Sequence, residues 1–441
     1  MQQTQSPQQP RAVDSKAAPT IAMVQDGSRL HYAIPIAFQE QGLLERMFST
    51  WYAPPRSLPR AIARSVRLMK PDLGTRMLER YSPHLDRGRI FTNPRLEWSL
   101  RSGRKKYASD REYWHWASAR EAAWIRRKGF GDARALFGFI RNIDPDLCAY
   151  AHSRGLMTIG DQIIAPYAVE AAEEAIQRQR FGDWAIASPD PAEAEWETFE
   201  QRTWQHLDHF TCASDYVRTG LIGNGIPAHR ISVIPYPVDT TEFPFVDRRD
   251  RQGPPTIGFV GAVSLRKGAP YFLELARRFD PAHARFVMVG AIHINANALA
   301  AHVGNVQMAG SVRRSQIPAL LASFDVLYFP TTCEGSAGAL IEAMATGLPV
   351  VTSPNSGTVA RHGQEGFLCP YDDLDAAELH LRDLIDNREA RLATGAAARK
   401  RIESLSVAQY GESFAHVFRN LIRGAAVRPT ADSSGPSTSG R

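Results

Sequence analysis

Two short stretches in the second half of the chain carry residues that could do chemistry on a phosphorylated ligand. In Cys333–Val351, CEGSAGALIEAMATGLPVV, Glu334 precedes the small residues Gly335, Ser336 and Ala337. Gly338 then opens an apolar-periodic run that predicts a helix stopping at Gly347, with Pro349 just beyond. A helix start presents unpaired N–H groups and a partial positive charge. Small side chains let phosphate oxygens reach that backbone, so Gly335 to Gly338 read as a diphosphate seat. Glu342 falls about one turn inside the helix, at roughly 1.5 Å rise per residue. Glu334 and Glu342 could therefore flank one ligand and accept hydrogen bonds from sugar and ribose hydroxyls. The plainer reading is a dipole-stabilising surface Glu beside a close-packed helix start.

The second stretch is AVSLRKGAPYFLELA, which follows the apolar run TIGFVG. Arg266, Lys267 and Gly268 fall in the loop between a predicted strand and a predicted helix. Two cations at a strand's carboxyl end can neutralise a diphosphate leaving group without a metal. A solvated Arg-Lys pair is the alternative. Both stretches would lie on the same edge of one sheet.

The elements that position them form a regular alternation. TIGFVG (256–261), RFVMVG (285–290), VQMAG (306–310), DVLYFP (325–330) and LPVVTS (348–353) read as strands, and the segments between them as helices. Short Val-rich strands alternating with amphipathic helices predict a parallel sheet covered on both faces, with its ligand beyond the strands' carboxyl ends. With 441 residues the chain is long enough for two such domains. The first begins with a strand at Thr20–Val24 and a loop holding Gly27, Ser28, Arg29 and His31. A helix through AIPIAFQEQGLLERMF follows, then a mostly helical, basic insertion over 51–130. Strands are predicted near Leu147–Ala151, Leu156–Ile159 and Phe210–Ala213, and another opens Ile231–Phe243 with a proline-punctuated exit. Helices are predicted at Ala168–Arg180 and Ala192–Asp208, with Ser214 capping another.

These readings divide the chain into a first domain at 19–246, a linker at 247–255, a second domain at 256–405 and a C-terminal helix at 406–424 packing back toward the first. Residues 1–18 and 425–441 have the composition of disordered tails.

Four scattered cysteines form no C-x-x-C pair, which argues against a disulfide framework or a thiolate zinc site. No signal-peptide core or membrane-length apolar run is present, so a cytoplasmic location is expected, with room for attachment at the inner membrane surface. Between Trp51 and Tyr150 there are 21 Lys and Arg against 10 Asp and Glu, a local excess larger than the +6 of the whole chain. Such a stretch could meet anionic lipid, nucleic acid or an acidic substrate, or simply be a solvated basic surface. It contains no recognised nucleic-acid-binding module.

From about Asp208 to Tyr410 the chain resembles glycosyltransferase family 4, of the GT-B fold. The likeness rests on Glu334-x7-Glu342 followed by Ala343-Met344-Ala345-x-Gly347-x-Pro349-Val350-Val351, beside Arg266-Lys267-Gly268. Ser214-Asp215-Tyr216-Val217, the run from Ile234 to Phe243, and Asn355-Ser356-Gly357 before Glu365-Gly366 also match. The resemblance implies two Rossmann-like doubly wound α/β domains facing a cleft, and hexosyl transfer from a nucleoside-diphosphate sugar with retention of configuration. Glu334 would hold the donor sugar and Glu342 the ribose. Lys267 and Arg266 would bind the diphosphate, and the amides of Gly335, Ser336, Ala337 and Gly338 its distal phosphate. Leu340 would pack by the nucleoside, the loop at Gly310, Ser311 and Val312 would meet the base, and Gly261 would mark the strand exit. The acceptor would be a glycan, a lipid-linked or a small molecule, as in polysaccharide or glycolipid biosynthesis. Neither metal nor other cofactor is implied.

The chain departs from that pattern in places. Gly261 is followed by Ala262 rather than Arg. The glycine pair after the first strand is reduced to Gly27-Ser28, and the glycine of the Ile234–Phe243 run is Pro237. Thr158-Ile159-Gly160-Asp161-Gln162 has no His where many members carry one. Asp161 is a candidate substitute, or else a capping or loop carboxylate, and His31 and His152 are further cleft candidates. Two other functions stay open: a sugar-nucleotide epimerase or phosphorylase, and a non-catalytic module binding nucleotide sugar or a membrane surface.

Overall fold

The computed structural model describes residues 18–107, 109–186 and 194–427. The tails expected at 1–18 and 425–441 lie outside them, apart from Ala18 and the end of the final helix, which runs to Val427.

Among the described residues thirteen strands form two wholly parallel sheets. The first holds β1 (Ile21–Val24), β2 (Leu44–Ser49), β3 (Ile90–Thr92), β4 (Ala135–Phe139), β5 (Met157–Gln162), β6 (His209–Cys212) and β7 (Ile231–Val233). Its order is β3-β2-β1-β4-β5-β6-β7. The second holds β8 (Thr256–Val260), β9 (Arg285–Val289), β10 (Gln307–Gly310), β11 (Val326–Phe329), β12 (Val350–Thr352) and β13 (Gly366–Leu368), in the order β10-β9-β8-β11-β12-β13. The central strands are buried on both faces, as in the VLYF of β11, because helices cover each side. This is the doubly wound class expected from the alternation, and the two domains face a cleft. The strand order reverses between β1 and β4 in one sheet and between β8 and β11 in the other. Loops there leave the sheet in opposite directions and open a crevice at the carboxyl ends.

Several elements differ from the sequence reading, and β3 and β13 are strands where none was expected. The helix expected through Phe48 is Ala33–Glu40, and LERMFS is β2. Gly42, at φ 68°, takes the left-handed turn that ends the helix. The strand expected at Leu147–Ala151 lies within the helix Pro145–Ser153, whose Asp144 caps the amides of Asp146 and Leu147. The strand in that region is β4, ALFGF, where the Ile143 side chain fills the space beside Gly138. In Ile231–Phe243 the strand is β7, and it stops before the expected proline exit, where prolines at 235 and 237 remove ladder donors.

The final helix, Val407–Val427, packs on Ala33–Glu40. Phe414 lies 4.4 Å from Phe38 and 5.5 Å from Phe137, ring centre to centre, so the chain ends on the core of the first sheet.

Arg248 is only 5% exposed. It donates to the carbonyls of Phe324 (2.8 Å), Thr346 (2.8 Å), Leu321 (3.1 Å) and Val246 (3.1 Å). Thr346 follows the helix Gly338–Ala345, and Leu321 and Phe324 lie at the end of Ile317–Ala322, so one guanidinium caps two helix ends. Burial pulls its pKa down to about 10. Arg248→Met leaves these carbonyls without their donor and should cost about 2–4 kcal/mol. Urea unfolding should show an earlier midpoint, and an unchanged midpoint would contradict the capping role.

Candidate functional site

At the β8/β11 switch point the two exit loops are tied together. The Arg266 carbonyl accepts from the Thr332 amide (2.8 Å) and the Thr331 hydroxyl (2.9 Å). Gly268 sits at φ 76°, and a Cβ there would run into the carbonyl of Pro330. Only glycine meets both demands, so the loop stays pressed against the end of β11. Gly261 leaves β8 in an extended glycine conformation at φ 154°.

This anchoring sets two cations against one carboxylate. Arg266 donates to Glu334 Oε1 and to the Cys333 carbonyl, each at 2.8 Å, and Lys267 Nζ pairs with the same Glu334 oxygen. Lys267 also lies 5.4 Å from the centre of the Phe329 ring. Burial lowers the Lys267 pKa, and Glu334 opposes that shift.

The helix Gly338–Ala345 begins beside this cluster. Ala337 occupies its N-cap, so no side chain caps it. The seat Gly335–Gly338 is held from behind, where the Glu334 amide donates to Asn355 O (2.9 Å) and the Ala337 amide to Ser356 O (3.0 Å). The Ser336 hydroxyl is enclosed and has no hydrogen-bond partner. Glu342 is held by Arg314 at 2.5 Å. Burial raises the Glu342 pKa, while Arg314 and, more weakly, His31 oppose the shift. Arg314 lies in the turn after Ser311 and Val312, so that loop reaches the Glu342 end of the site. Sequence reading passed over Arg314, because an Arg in a polar turn carries no signal of its own. Leu340 is fully buried in the hydrophobic core of the second domain.

The first domain completes the seat. Gly335 packs so closely on the Ile163 carbonyl that no Cβ fits, and Ser214 Oγ donates to Gly335 O at 2.5 Å. Glu170, held by Arg141 at 2.6 Å, lies 3.7 Å from Arg266. Glu170 belongs to the helix Tyr167–Arg180, whose Glu173 also reaches Tyr371 (2.9 Å) and whose Gln177 reaches Tyr271 (2.7 Å). Positions 170, 173 and 177 share one helical face, which therefore lies along the second domain.

Across the cleft, the loop after β1 holds Gly27 (φ 81°) and then Leu30, His31 and Tyr32 at φ 48°, 50° and 65°. Three successive non-glycine residues in the left-handed region carry strain. Gln25 Nε2 braces them by donating to Gly27 O (3.4 Å) and Arg29 O (3.2 Å). Ser28 is half-buried. Arg29 stacks on Phe139 at the end of β4 (4.9 Å), and exposed His31 is close enough to act on Glu342. Behind the loop, Arg80 bridges Asp26 (3.4 Å) and Glu97 (3.5 Å), and the Thr50 hydroxyl lies 2.8 Å from Asp26 and 2.5 Å from Glu97. None of these four residues was singled out by sequence.

Two candidates do not join the site. Asp161 is 1% exposed, and its oxygens accept from Thr211 (2.7 Å) and Tyr236 within the first domain. Burial pushes its pKa up to about 6. His152 pairs with Asp208, just before β6, at the amino end of the sheet and away from the cleft. Among the described residues no three His, Cys, Asp or Glu side chains are gathered as a cation site, and the four cysteines are buried thiols.

Two doubly wound domains meeting over a phosphate-suited switch point define the GT-B architecture. Residues 254–387 match the family model Glycosyl transferases group 1. Among curated relatives, the glycogen synthase of Mycobacterium tuberculosis is 27% identical over 195 residues, 42% of this chain and 47% of that one. The chain thus spans about half the length of that relative. Sucrose-phosphate synthase from Thermosynechococcus elongatus superposes with a TM-score of 0.65 at 14% identity, covering 92% of this chain and 100% of that one. Anabaena HepE in complex with UDP and glucose gives 0.56 at 14% identity, covering 91% and 100%. These likenesses carry the fold over nearly the whole chain.

The buried Asp161 and His209 predict opposing pH slopes. Folded Asp161 holds its proton up to about pH 6, above the unfolded value of roughly 3.9, so its contribution is lost as pH rises through that window. Burial lowers His209 to about 4, below roughly 6.5 unfolded, so its contribution is lost as pH falls. Asp161→Asn removes only the first slope. Its melting temperature relative to the parent should rise between about pH 4 and pH 7, and a flat difference would refute the buried, readily protonated Asp161.

Proposed function

We propose that the protein is a glycosyltransferase that moves a hexosyl group from a nucleoside-diphosphate sugar to a hydroxyl of a glycan, lipid-linked or small-molecule acceptor. The observation that carries this is the meeting of Arg266 and Lys267 from β8 with Glu334 from β11, before a helix start that no side chain caps. HepE, which shares the fold, was solved with UDP and glucose bound. The group 1 match covers the segment that holds all these residues.

In this reading the donor diphosphate lies against Arg266, Lys267 and the amides of Gly335, Ser336 and Gly338, the Ala337 amide being engaged by Ser356 O. The bond between sugar C1 and the diphosphate oxygen breaks, and the charge growing on that oxygen is met by the two cations and the helix start. The acceptor oxygen bonds to C1 from the same face and passes its proton to the departing diphosphate, which retains the configuration. Glu334 turns to the sugar hydroxyls and Glu342 to the ribose. Ser311 and Val312 lie by the base. The loop Gly27–His31 faces the acceptor, and closure excludes water.

With a panel of uridine, guanosine and adenosine diphosphate sugars, at least one should raise the melting temperature and support transfer. Lys267→Ala and Glu334→Ala should each lower kcat by about 10²-fold or more. Transfer should survive EDTA, because two side-chain cations neutralise the leaving group. A metal requirement, or full activity in Lys267→Ala, would overturn the mechanism.

A peripheral place on an anionic membrane surface rests on the helix Leu58–Met69. Leu58, Leu68 and Met69 are 73%, 87% and 78% exposed there, beside Arg56, Arg64, Arg67 and Lys70. No helix among the described residues is long and apolar enough to cross a membrane. An amphipathic basic helix of this kind lies in the interface plane. Vesicles containing phosphatidylglycerol should sediment the protein at low salt and release it at high salt. Failure to sediment at low salt would remove this part of the reading.

A further inference from the structure

The exposed edge of the first sheet carries a feature the donor site does not use. Beside β3 a cavity of about 640 Å³ opens between the helices Pro94–Gly103 and Asp110–Lys128. Its wall includes Arg95, Arg120, Arg127 and Lys128, with Asn93 and Ser99 among its polar groups and no carboxylate. Among the described residues none of these four cations forms an ion pair, although Arg80, Arg101, Arg141, Arg178 and Arg314 all do.

Helix-end electrostatics does not account for the cluster. Arg127 and Lys128 lie in the last turn of their helix, where a cation offsets the helix dipole. Arg120 stands further back, stacked 5.2 Å from the Trp116 ring centre. Arg95 lies in the first turn of its helix, after the Asn93 cap and Pro94, where the dipole disfavours positive charge. A cation placed against its own helix dipole, and near three others, is favourable when an anion shares the space. The volume falls within the roughly 300–1,000 Å³ typical of small-molecule pockets. Guanidinium forks match phosphate oxygens in pairs. β3 is two strands away from β1 in the sheet, roughly 10 Å, so the cavity is separate from the switch-point crevice.

We propose that this pocket binds a phosphate-bearing ligand, a phosphomonoester or diphosphate, at a second site distinct from the donor seat. The inference stands whether or not the donor reading is correct.

The test uses the full chain carrying Arg266→Gln and Lys267→Gln, so that the donor-side cations do not compete. Calorimetric titration with inorganic pyrophosphate at low salt should show one site. Adding Arg95→Gln, Arg120→Gln and Arg127→Gln should weaken it by about tenfold or more, with the melting temperature kept because these side chains are exposed. The single reversal Arg95→Glu should weaken it as well, which guards against a fold defect in the multiple variant. No uptake in the donor-silenced protein, or uptake that ignores these substitutions, overturns the proposal. Vesicles of phosphatidylcholine doped with phosphatidic acid then identify the source. Sedimentation reduced by the pocket substitutions assigns a lipid headgroup. Pyrophosphate binding without that reduction assigns a soluble phosphorylated compound.

Discussion

Glu334 meets Arg266 and Lys267 in a partly enclosed space, and the organisation of the cleft follows from how those three charges are satisfied. Arg266 also faces Glu170, which Arg141 holds, so Glu334 is the carboxylate that Arg266 and Lys267 share. Removing such groups from water is costly unless each finds a counter-charge. Glu334 serves as that counter-charge when no phosphate is present. A bound diphosphate would bring more negative charge than one carboxylate and would displace it from the cations. The carboxylate would then be released beside the seat, where it can accept from hydroxyls on the sugar. In the proposed function the same side chain would both pair with the cations and turn to the sugar of a bound donor.

That arrangement is precise only because both domains build the seat. The tight turn at Gly335 packs on Ile163 and accepts from Ser214, and Arg266 faces Glu170, all from the first domain. The helix Tyr167–Arg180 continues the contact through Glu173 and Gln177. Domain closure and the shape of the diphosphate seat are thus one variable. Separating the domains would loosen the turn at Gly335 as well as open the cleft.

Local chemistry made the second domain readable from sequence. Its strands are short and apolar, its helix starts carry glycine or proline, and Glu334, Arg266 and Lys267 stand at element ends with Glu342 one turn inside the helix that follows Glu334. The first domain was harder. LERMFS alternates too weakly to separate a strand from the end of the preceding helix, and the decisive residue was Gly42. LCAYA is apolar enough for a strand, and only the Asp144-Pro145 start marks it as helical. Arg314, Arg80 and Glu97 escaped notice for another reason. Their roles depend on partners 28, 54 and 17 positions away, and pairing over such separations leaves no local pattern. Asp161 shows the converse. A carboxylate at a strand exit suggests chemistry, but Thr211 and Tyr236 from neighbouring elements enclose it.

In the proposed function, the side facing the acceptor follows a different rule from the side facing the donor. The donor seat relies on charges that a ligand can exchange, whereas the loop after β1 relies on strained backbone. Leu30, His31 and Tyr32 are all left-handed, a conformation costing roughly 1–2 kcal/mol per residue for non-glycine residues. Such strain persists only where packing over-determines it. Gln25 grips the loop from within, Tyr32 is buried edge-on against Tyr52, and Arg29 lies on Phe139. Beneath it, Arg80 ties Asp26 to Glu97. Thr50 reaches both carboxylates, yet its hydroxyl has only one proton to donate. A surface braced in this way selects its partner by shape, while the donor seat opposite selects by charge. In the proposed function, that division would let one fold keep a constant nucleotide-handling half and vary the half that meets the acceptor.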